Sequence, residues 1–428
     1  MNTNVKKLRS TLASLIREMG HAPARFVRNP RSDFTRHRKL GLEQTVSTLL
    51  CLGGGSLGQE LLDCFGQNTP SVSAFVQQRK KLLPHAMDHL FHAFTAAIPL
   101  KQQYRGYRLI AVDGTSLKTA PYPKDPDSYL PGSQYQHGWN QLHLNALYDL
   151  ENGLYVDASI QKERQKNESR ALCEMIDQSA ISAPAILLAD RNYESYNNLA
   201  HLEKKGWSYL IRLRDERRTV AFGVSLPVQP EFDIPVCLTL GRMTPRQRRA
   251  QGLSVPEPYY HLPTACTFDF LKENSAETVT LLFRIARLKL SESTAQLLIT
   301  NLDTRQFSLS SLKSLYARRW GIETAFRSLK YTVGLLHFHA KKPELVMQEV
   351  FSRLTVYNFA QTAVPKQAEG HVHFAAAVHL CRGLLRGSIS PQTVIDLLAK
   401  CRAPNRGARA FPRPKSISGK ISLFYAIA

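Results

Sequence analysis

The spacing of hydrophobic residues changes near residue 105, and the predicted secondary structure changes with it. Before that point, apolar residues recur every three or four positions, in stretches such as 8–19 and 40–52, which is the spacing of an amphipathic helix. Beyond it, short apolar runs are bounded by Gly, Asn, Asp and other polar residues, which is typical of strands. A helical amino-terminal domain followed by an α/β domain is therefore predicted.

Within the α/β part, residues 105–214 are predicted to alternate between strands and helices. The dipeptide Asn152-Gly153 joins the second and third strands, and Asn-Gly is the strongest short signal for a hairpin. The predicted strands are 108–112, 142–148, 154–160, 185–189 and 207–213, and the predicted helices are 169–178 and 196–205. The order strand, strand, strand, helix, strand, helix, strand is that of an RNase H-like α/β domain.

After residue 214 the pattern predicts an interruption of this domain. Residues 215–292 combine strand patterns with Pro and Gly breaks, which indicates a β-rich insertion. The sheet is then predicted to resume at 296–302, and a long helix to run from 309 to about 335. Further helices are predicted at 343–359, 374–385 and 391–400, followed by a basic tail that is extended or mobile.

The predicted fold class is therefore multidomain α/β. It consists of an RNase H-like mixed-sheet core interrupted by a β-rich insertion, with helical amino-terminal and carboxyl-terminal parts. The predicted domains are a basic helical domain (1–104), the first part of the core (105–214), the insertion (215–292), the second part of the core (293–340) and a helical carboxyl-terminal region with a basic tail (341–428).

Composition narrows the class of partner. The 428 residues include 56 Lys and Arg against 34 Asp and Glu, a formal net charge of +22, which favours a polyanion, most commonly nucleic acid. A cationic surface without such a partner is the alternative. No apolar run has the length of a membrane span, and the amino terminus lacks the apolar stretch of a secretory signal. A cytoplasmic protein with no membrane partner is expected.

The seven cysteines do not suggest a metal site or disulfides. They are scattered, odd in number and never in CxxC spacing. We therefore expect neither a zinc site nor a disulfide framework.

Two aspartates each follow a short apolar strand. Asp113 follows residues 108–112 and Asp190 follows residues 185–189, so both are predicted at the carboxyl-terminal edge of one sheet. Either aspartate alone is more often an ordinary turn residue. Carboxylates that converge from separate elements are what two divalent ions need to catalyse phosphodiester cleavage or joining.

A third carboxylate lies on the long predicted helix. Tyr316, Arg319, Glu323 and Lys330 are separated by 3, 4 and 7 positions, the intervals that place side chains on one helix face. That face presents a carboxylate flanked by two cations and a phenol. From spacing alone, an ordinary surface salt-bridge ladder is the slightly better interpretation.

The basic amino-terminal domain contains a candidate recognition helix. The segment that begins at Ser71 is predicted to be helical and would offer polar side chains to bases or phosphates. These candidate DNA-recognition residues are Gln77, Gln78, Arg79 and Lys81. A solvated helix face is the alternative.

The set Tyr316-x2-Arg319-x3-Glu323-x6-Lys330 resembles the signature of bacterial insertion-sequence transposases of family four. The resemblance extends to both aspartate segments, residues 110–115 (Ile-Ala-Val-Asp-Gly-Thr) and 188–193 (Leu-Ala-Asp-Arg-Asn-Tyr), and to residues 331–335 and 342–344 after the glutamate. It covers roughly residues 70–360.

The resemblance implies a cut-and-paste DDE transposase. Such an enzyme binds terminal inverted repeats, cleaves beside them through a metal-activated water and joins the freed 3′ hydroxyl to target DNA. Asp113, Asp190 and Glu323 would then be catalytic and hold two Mg²⁺, for which Mn²⁺ substitutes. Two protomers would act as a homodimer on DNA in a synaptic complex, associated with the nucleoid when acting. Tyr316, Arg319 and Lys330 would contact phosphates near the transposon end.

One feature departs from this family's pattern. In relatives, a tryptophan in the β insertion holds a flipped base during hairpin formation, but no tryptophan occurs in residues 215–292 of this chain. The candidates to replace it are Tyr259, Tyr260 and Phe268. The other possibility is a different hairpin step.

Two further functions remain open from the sequence. One is an RNase H-like nuclease without strand transfer. The other is a catalytically silent, transposase-derived DNA-binding protein. Three intact carboxylates argue against the second, because their mutual repulsion costs stability when no metal is bound.

Overall fold

The computed structural model describes residues 2–403 except 37–38, 101, 135–136, 182–183, 215–219, 222, 291–293 and 365–370. The predicted basic tail beyond residue 403 lies outside the described residues. Among the described residues, no helix combines the length and apolar character needed to cross a membrane. The chain divides into two compact units, one of residues 1–99, 117–142 and 326–428 and the other of residues 100–116 and 143–325.

The helices of the described residues cluster towards the two ends of the chain. They are α1 (Asn2–His21), α2 (Leu42–Cys51), α3 (Leu57–Phe65), α4 (Val72–Arg79), α5 (His85–Ala97), α6 (Glu168–Gln178), α7 (Tyr196–Lys205), α8 (Pro245–Ala250), α9 (Leu309–Ala317), α10 (Trp320–Tyr331), α11 (Pro343–Ala363), α12 (Phe374–Arg386) and α13 (Pro391–Lys400).

The strands come mainly from the middle of the chain. They are β1 (Arg108–Thr119), β2 (Tyr129–Leu130), β3 (Trp139–Asp149), β4 (Leu154–Lys162), β5 (Ala185–Ala189), β6 (Ser208–Arg212), β7 (Val220–Ala221), β8 (Val224–Ser225), β9 (Phe232–Gly241), β10 (Tyr259–His261), β11 (Thr278–Lys289), β12 (Ala295–Thr300), β13 (His371–Val372) and β14 (Arg402–Ala403).

The first unit is built around α11, which is buried on nearly every side. Helices α1, α2, α5 and α12 pack against it. The buried residues of α1 recur every three or four positions, at Val5, Leu8, Leu12, Ile16 and Met19, so one face of this helix is apolar. Helical segments from the two ends of the chain thus share one core, although the sequence pattern had assigned them to separate parts.

The second unit is organised by one mixed sheet with the order β10-β9-β11-β12-β6-β5-β1-β3, in which β4 also pairs with β3. Strands β1, β5 and β6 are mutually parallel, whereas β12, β11 and β9 alternate in direction. The central β5 is wholly buried, as expected for a parallel strand covered on both faces. Large apolar clusters include Ile110, Leu187, Tyr209 and Ile299 on one side and Leu109, Leu188, Leu298 and Leu315 on the other.

The predicted β-rich insertion contains strands, but its long strands do not form a sheet of their own. Strand β11 pairs antiparallel with β12, and β9 pairs with β11, so both extend the main sheet. Among the described residues of this segment, only the two-residue strands β7 and β8 pair apart from it. The sequence pattern correctly identified strands in this segment. It did not show that β11 pairs with β12 and so makes the segment part of the main sheet.

Candidate active site

The register of two parallel strands places Asp113 beside Asp190. The last recorded pair of β1 and β5 is Ala111 with Leu188, and each aspartate lies two residues beyond its strand's paired position. Neighbouring strands are separated by about 4.8 Å, and equivalent positions point to the same face. The two carboxylates therefore belong to one edge of the β1–β5 pair, as predicted from their positions after apolar runs.

The location of Asp113 within its strand differs from the prediction. Strand β1 does not end before Asp113 but continues to Thr119, so the aspartate lies in mid-strand. Asp190, in contrast, follows the last residue of β5 and precedes a 3₁₀ turn at Arg191–Tyr193. Polar residues after position 112 stopped the apolar pattern without ending the strand.

The predicted long helix is divided into α9 and α10. Helix α9 ends at Ala317 and α10 begins at Trp320, and the joint contains i→i−3 hydrogen bonds such as Arg319 N–H to the Tyr316 carbonyl. Tyr316 therefore lies at the end of α9, Arg319 lies in the joint, and Glu323 lies in the first turn of α10. The prediction of one continuous helix was wrong at this joint.

The divided helix still brings three of the four signature residues together. Arg319 Nη2 donates a hydrogen bond of 2.8 Å to Glu323 Oε1, and the side chain of Arg319 is only 11% exposed. The Arg319 guanidinium carbon lies 5.9 Å from the centre of the Tyr316 ring. Lys330 lies near the end of α10, in the part of that helix assigned to the other compact unit.

Asp113 is surrounded by charge of both signs. Burial raises its pKa to about 6; the Gly114 N–H and the Arg319 guanidinium act in the opposite direction, and the Glu323 and Glu168 carboxylates raise it further. The Gly114 N–H donates to Asp113 Oδ1 at 2.8 Å. The positive charge of nearby Arg319 therefore does not fully compensate the ionised form of Asp113.

Tyr316 contributes a buried hydroxyl near the same carboxylates. Burial raises the pKa of Tyr316 to about 12, the Arg319 charge opposes this rise, and the Asp190 charge adds to it. The hydroxyl is buried and has no hydrogen-bond partner among the described residues. A neutral phenol that can donate one hydrogen bond is therefore present.

The donor chemistry of Asp113, Asp190 and Glu323 fits Mg²⁺, which prefers carboxylate oxygens. A cation next to Asp113 would also supply the positive charge that the raised pKa of this buried carboxylate shows to be lacking. Within the described part of the chain, however, no three His, Cys, Asp or Glu side chains already stand together as a metal-ligand group. Glu323 is instead hydrogen-bonded to Arg319.

Three polar residues beside Asp113 did not figure among the predicted site residues. His143 on β3 has its Nε2 2.9 Å from Glu168 Oε1, although the two are not aligned for a hydrogen bond, and Tyr193 is buried nearby. Burial raises the pKa of Tyr193, as do the charges of Glu168, Asp113 and Asp190. The sequence signal for His143 was weak, because it is one of two polar residues, with Asn145, in the otherwise apolar predicted strand 142–148.

The predicted recognition helix exists as α4, but two of its candidate residues are corrected. Gln78 is 8% exposed and Arg79 is 1% exposed. Arg79 Nη1 pairs with Glu349 Oε1 at 2.8 Å, and its Nη2 donates to the Leu345 carbonyl. Because both side chains are enclosed by protein, neither is placed to meet DNA.

The other two candidates remain accessible. Gln77 is exposed, and Lys81 is partly exposed with its Nζ 5.4 Å from the centre of the Phe34 ring. Their role in DNA recognition stays a prediction.

The three candidates for the missing tryptophan also differ in accessibility. Phe268 is 4% exposed and belongs to the core of the second unit. The Tyr259 hydroxyl donates to the Met243 carbonyl, and Tyr260 packs against Tyr196 with ring centres 5.1 Å apart. Phe268 is therefore not placed to hold a base, whereas both tyrosines are only partly buried.

Comparison with known proteins finds a family match over the region of the chain that contains this site. Residues 104–359 match the family described as the transposase DDE domain. A curated relative, the transposase InsG for insertion sequence element IS4 from Escherichia coli (strain K12), is 30% identical over 135 residues. That match covers 27% of this chain and 30% of the relative, so the chain spans less than a third of the relative's length.

Among solved structures, the chain is similar to a piggyBac transposase in a synaptic complex with hairpin DNA, determined by cryo-electron microscopy. The identity is 8%, the TM-score is 0.48, and the alignment covers 95% of this chain and 84% of that one. The matched family region contains Asp113, Asp190 and Glu323, together with the signature around Glu323. The resemblance to insertion-sequence transposases of family four is thus confirmed, and the chain belongs to the transposase DDE-domain family.

Proposed function

We propose that this protein is a DNA transposase that cleaves at the ends of an insertion sequence and joins the freed 3′ hydroxyl to target DNA. The observation that carries the proposal is the juxtaposition of Asp113 and Asp190 on parallel strands, with Glu323 and Arg319 close to Asp113. All four residues fall within the matched DDE domain. The cut-and-paste course of the reaction is part of the proposal.

We propose an RNase H-like core for this domain. The strand neighbours β4-β3-β1-β5-β6, with β1, β5 and β6 parallel, support it. The crossover helices α6 and α7 follow β4 and β5 in the predicted order. Strands β9–β11 would then be an addition placed between β6 and β12 in sequence and at the β12 edge in space.

In the proposed mechanism, Asp113, Asp190 and Glu323 would hold two Mg²⁺. When bound, these ions activate the attacking oxygen and neutralise charge on the leaving oxygen. The Gly114 N–H fixes one oxygen of Asp113, which leaves the other available as a ligand. Arg319 holds Glu323 at the site and carries positive charge towards a phosphate.

The remaining signature residues are assigned to DNA phosphates. The buried Tyr316 hydroxyl can donate a hydrogen bond to a phosphate oxygen, and Lys330 supplies charge from the far end of α10. These contacts carry no sequence information but position the scissile bond.

We further propose that the DNA partners are terminal inverted repeats and a target duplex, and that two protomers form a homodimer on the paired ends. The net charge of +22 supports a polyanionic partner. Binding through phosphates releases counterions, so the affinity should fall steeply as the salt concentration rises.

The test is cleavage of a duplex that carries the element's own terminal repeat, in Mg²⁺ or Mn²⁺. Native chain is compared with Glu323→Gln, which removes a proposed ligand charge with little change in shape. The matched control is Glu174→Gln, since Glu174 is an exposed carboxylate whose ion pair among the described residues is with Arg170 on the same helix. A second duplex is included to detect joining of the 3′ hydroxyl end.

If the protein is a transposase, the native protein and the control Glu174→Gln should cut and join the duplex. Glu323→Gln should bind the duplex but not cut it. Cutting without joining would identify a nuclease instead. If native chain and Glu323→Gln bind equally and neither cuts with any metal, the protein is a silent DNA-binding descendant and the catalytic assignment is wrong.

A further inference from the structure

Arg212 follows Asp190 in the order of the sheet, on the next strand. The last recorded pair of the parallel strands β5 and β6 is Ala189 with Ile211, and Asp190 and Arg212 are the next residues along each strand. The backbone of Asp190 is still extended, so the alternation of side chains continues to this residue. Because neighbouring strands are separated by about 4.8 Å, Arg212 and Asp190 are adjacent at the edge of the sheet.

The side chain of Arg212 leaves the sheet on the face that carries Asp190. Its direct partner on the antiparallel strand β12 is Leu298, and residues paired in this way share a face. Leu298 belongs to the apolar cluster that also contains Leu188 and Tyr316. Asp190 is two positions beyond Leu188, and residues two apart in a strand point to the same side. Arg212 and Asp190 therefore both lie on the face covered by α9.

Asp113 shares this face. Ala111 pairs with Leu188 in the register of β1 and β5, and Asp113 is two positions beyond Ala111 on β1. Three neighbouring parallel strands thus present a row of charged side chains on one face, in the order Asp113, Asp190 and Arg212. The row consists of two proposed metal ligands followed by a cation.

Among the described residues, Arg212 has no acidic partner, unlike two other arginines of the same sheet. Arg108 pairs with Asp149, and Arg284 pairs with Asp233. Arg212 is partly buried, yet its side chain forms no ion pair or hydrogen bond within the described part of the chain. Withdrawing a guanidinium from water without a nearby anion is unfavourable, so this position is suited to an anionic ligand.

The hydroxyl of Tyr316 lies between Arg212 and the signature residues. Burial has the largest effect on the pKa of Tyr316 and raises it, whereas the charges of Arg319 and Arg212 both lower it. The hydroxyl is therefore within electrostatic reach of both guanidinium groups. Arg319 is already hydrogen-bonded to Glu323, whereas the Arg212 guanidinium can turn to a phosphate.

We infer that Arg212 binds a DNA phosphate next to the scissile one and so holds the DNA strand on the Asp190 side of the site. This inference rests on the proposed function. A guanidinium donates two parallel hydrogen bonds to one phosphate, which fixes both position and orientation. Loss of a hydrogen bond to a charged group should cost roughly tenfold or more.

The experiment measures cutting, in Mg²⁺, of the duplex that carries the element's own terminal repeat. Uncharged methylphosphonates replace the phosphates that flank the cleavage site, one at a time. Native chain is compared with Arg212→Met, which keeps an apolar stem but removes the charge. The control is Arg170→Gln, since the Arg170 side chain is 75% exposed and its helix α6 packs on the opposite face of the sheet. Circular dichroism and melting temperature establish that each protein is folded.

On the unmodified duplex, Arg212→Met should cut roughly tenfold more slowly than native chain, and Arg170→Gln should cut at the native rate. A methylphosphonate at the contacted position should slow native chain by a similar factor. It should not slow Arg212→Met further, because the contact is already lost in that variant. A purely structural role for Arg212 would leave both proteins equally sensitive to the methylphosphonate at every position.

If Arg212→Met and native chain respond equally to each methylphosphonate, the inference is overturned, while cutting by native chain shows that the proposed function stands. If native chain does not cut the unmodified duplex, the proposed function fails and the inference fails with it. Should Arg212→Met not fold, Arg212→Gln decides by the same comparison.

Discussion

The substitution Arg79→Ala distinguishes two roles for Arg79 on α4, contact with DNA and stabilisation of the helical unit, because the two roles predict different effects. Arg79 and Glu349 are each 1% exposed and are joined by an ion pair of 2.8 Å. Burial alone would raise the pKa of Glu349, but the charges of Arg79 and Arg353 and a hydrogen bond from His339 hold it well below its ordinary value. Glu349 is therefore ionised inside the protein and depends on its cations.

The loss of stability expected for Arg79→Ala depends on the buried Glu349 carboxylate that the substitution leaves without Arg79. Removing one partner of a buried ion pair costs about 3–5 kcal/mol. Glu349 would keep Arg353 at 3.3 Å, so the cost should lie near the lower end, about 3 kcal/mol. For a unit of this size, such a loss lowers the melting temperature by roughly 6–12 °C.

The assay is thermal unfolding by circular dichroism, combined with DNA affinity at fixed salt. Gln77→Ala is the matched control, since Gln77 lies on the same helix but is exposed, and such changes stay within about 0.5 kcal/mol. If Arg79→Ala melts like native chain but binds DNA more weakly, the structural role is refuted and Arg79 contacts DNA.

Three further outcomes are expected. The pKa of Glu349 is lower in the folded protein than its ordinary value of 4.5, so its ionised form stabilises the fold at any pH above 4.5. The native protein should therefore lose stability as the pH falls below 4.5, and Glu349→Gln should show a smaller loss when melting is measured against pH. Because burial raises the pKa of Asp113 from 3.8 to about 6, ionisation destabilises the metal-free fold as the pH rises through this range; Asp113→Asn should therefore be more stable at pH 7.5, by up to about 3 kcal/mol in urea unfolding, and equal stability would contradict the burial argument. Gly114→Ala should cost about 1–3 kcal/mol, because its Cβ would lie 2.3 Å from His143 Nε2, whereas Gly41→Ala, with no atom within 4 Å, should melt almost like native chain.

Local patterns in the sequence were sufficient to predict most elements near the site. The apolar runs before Asp113 and Asp190 are the buried parts of β1 and β5, and the helix pattern around Glu323 corresponds to α9 and α10. These predictions hold because strand and helix periodicity depend on neighbouring residues. The same patterns placed the end of β1 too early, because polar residues after position 112 interrupt the apolar run within the strand. They also missed the joint before α10, because that joint does not interrupt the helix pattern.

Tertiary structure alone decided which polar residues are buried together. Arg79 looked like a free surface cation in the sequence, but its partner Glu349 lies 270 positions away. Glu168 and His143 carry no local sign that they lie together beside Gly114, and the pairing of β11 with β12 could not be deduced from the pattern of residues 215–292. Periodicity determines which face of an element is apolar, but the burial of a charge depends on partners that only the folded chain brings within reach.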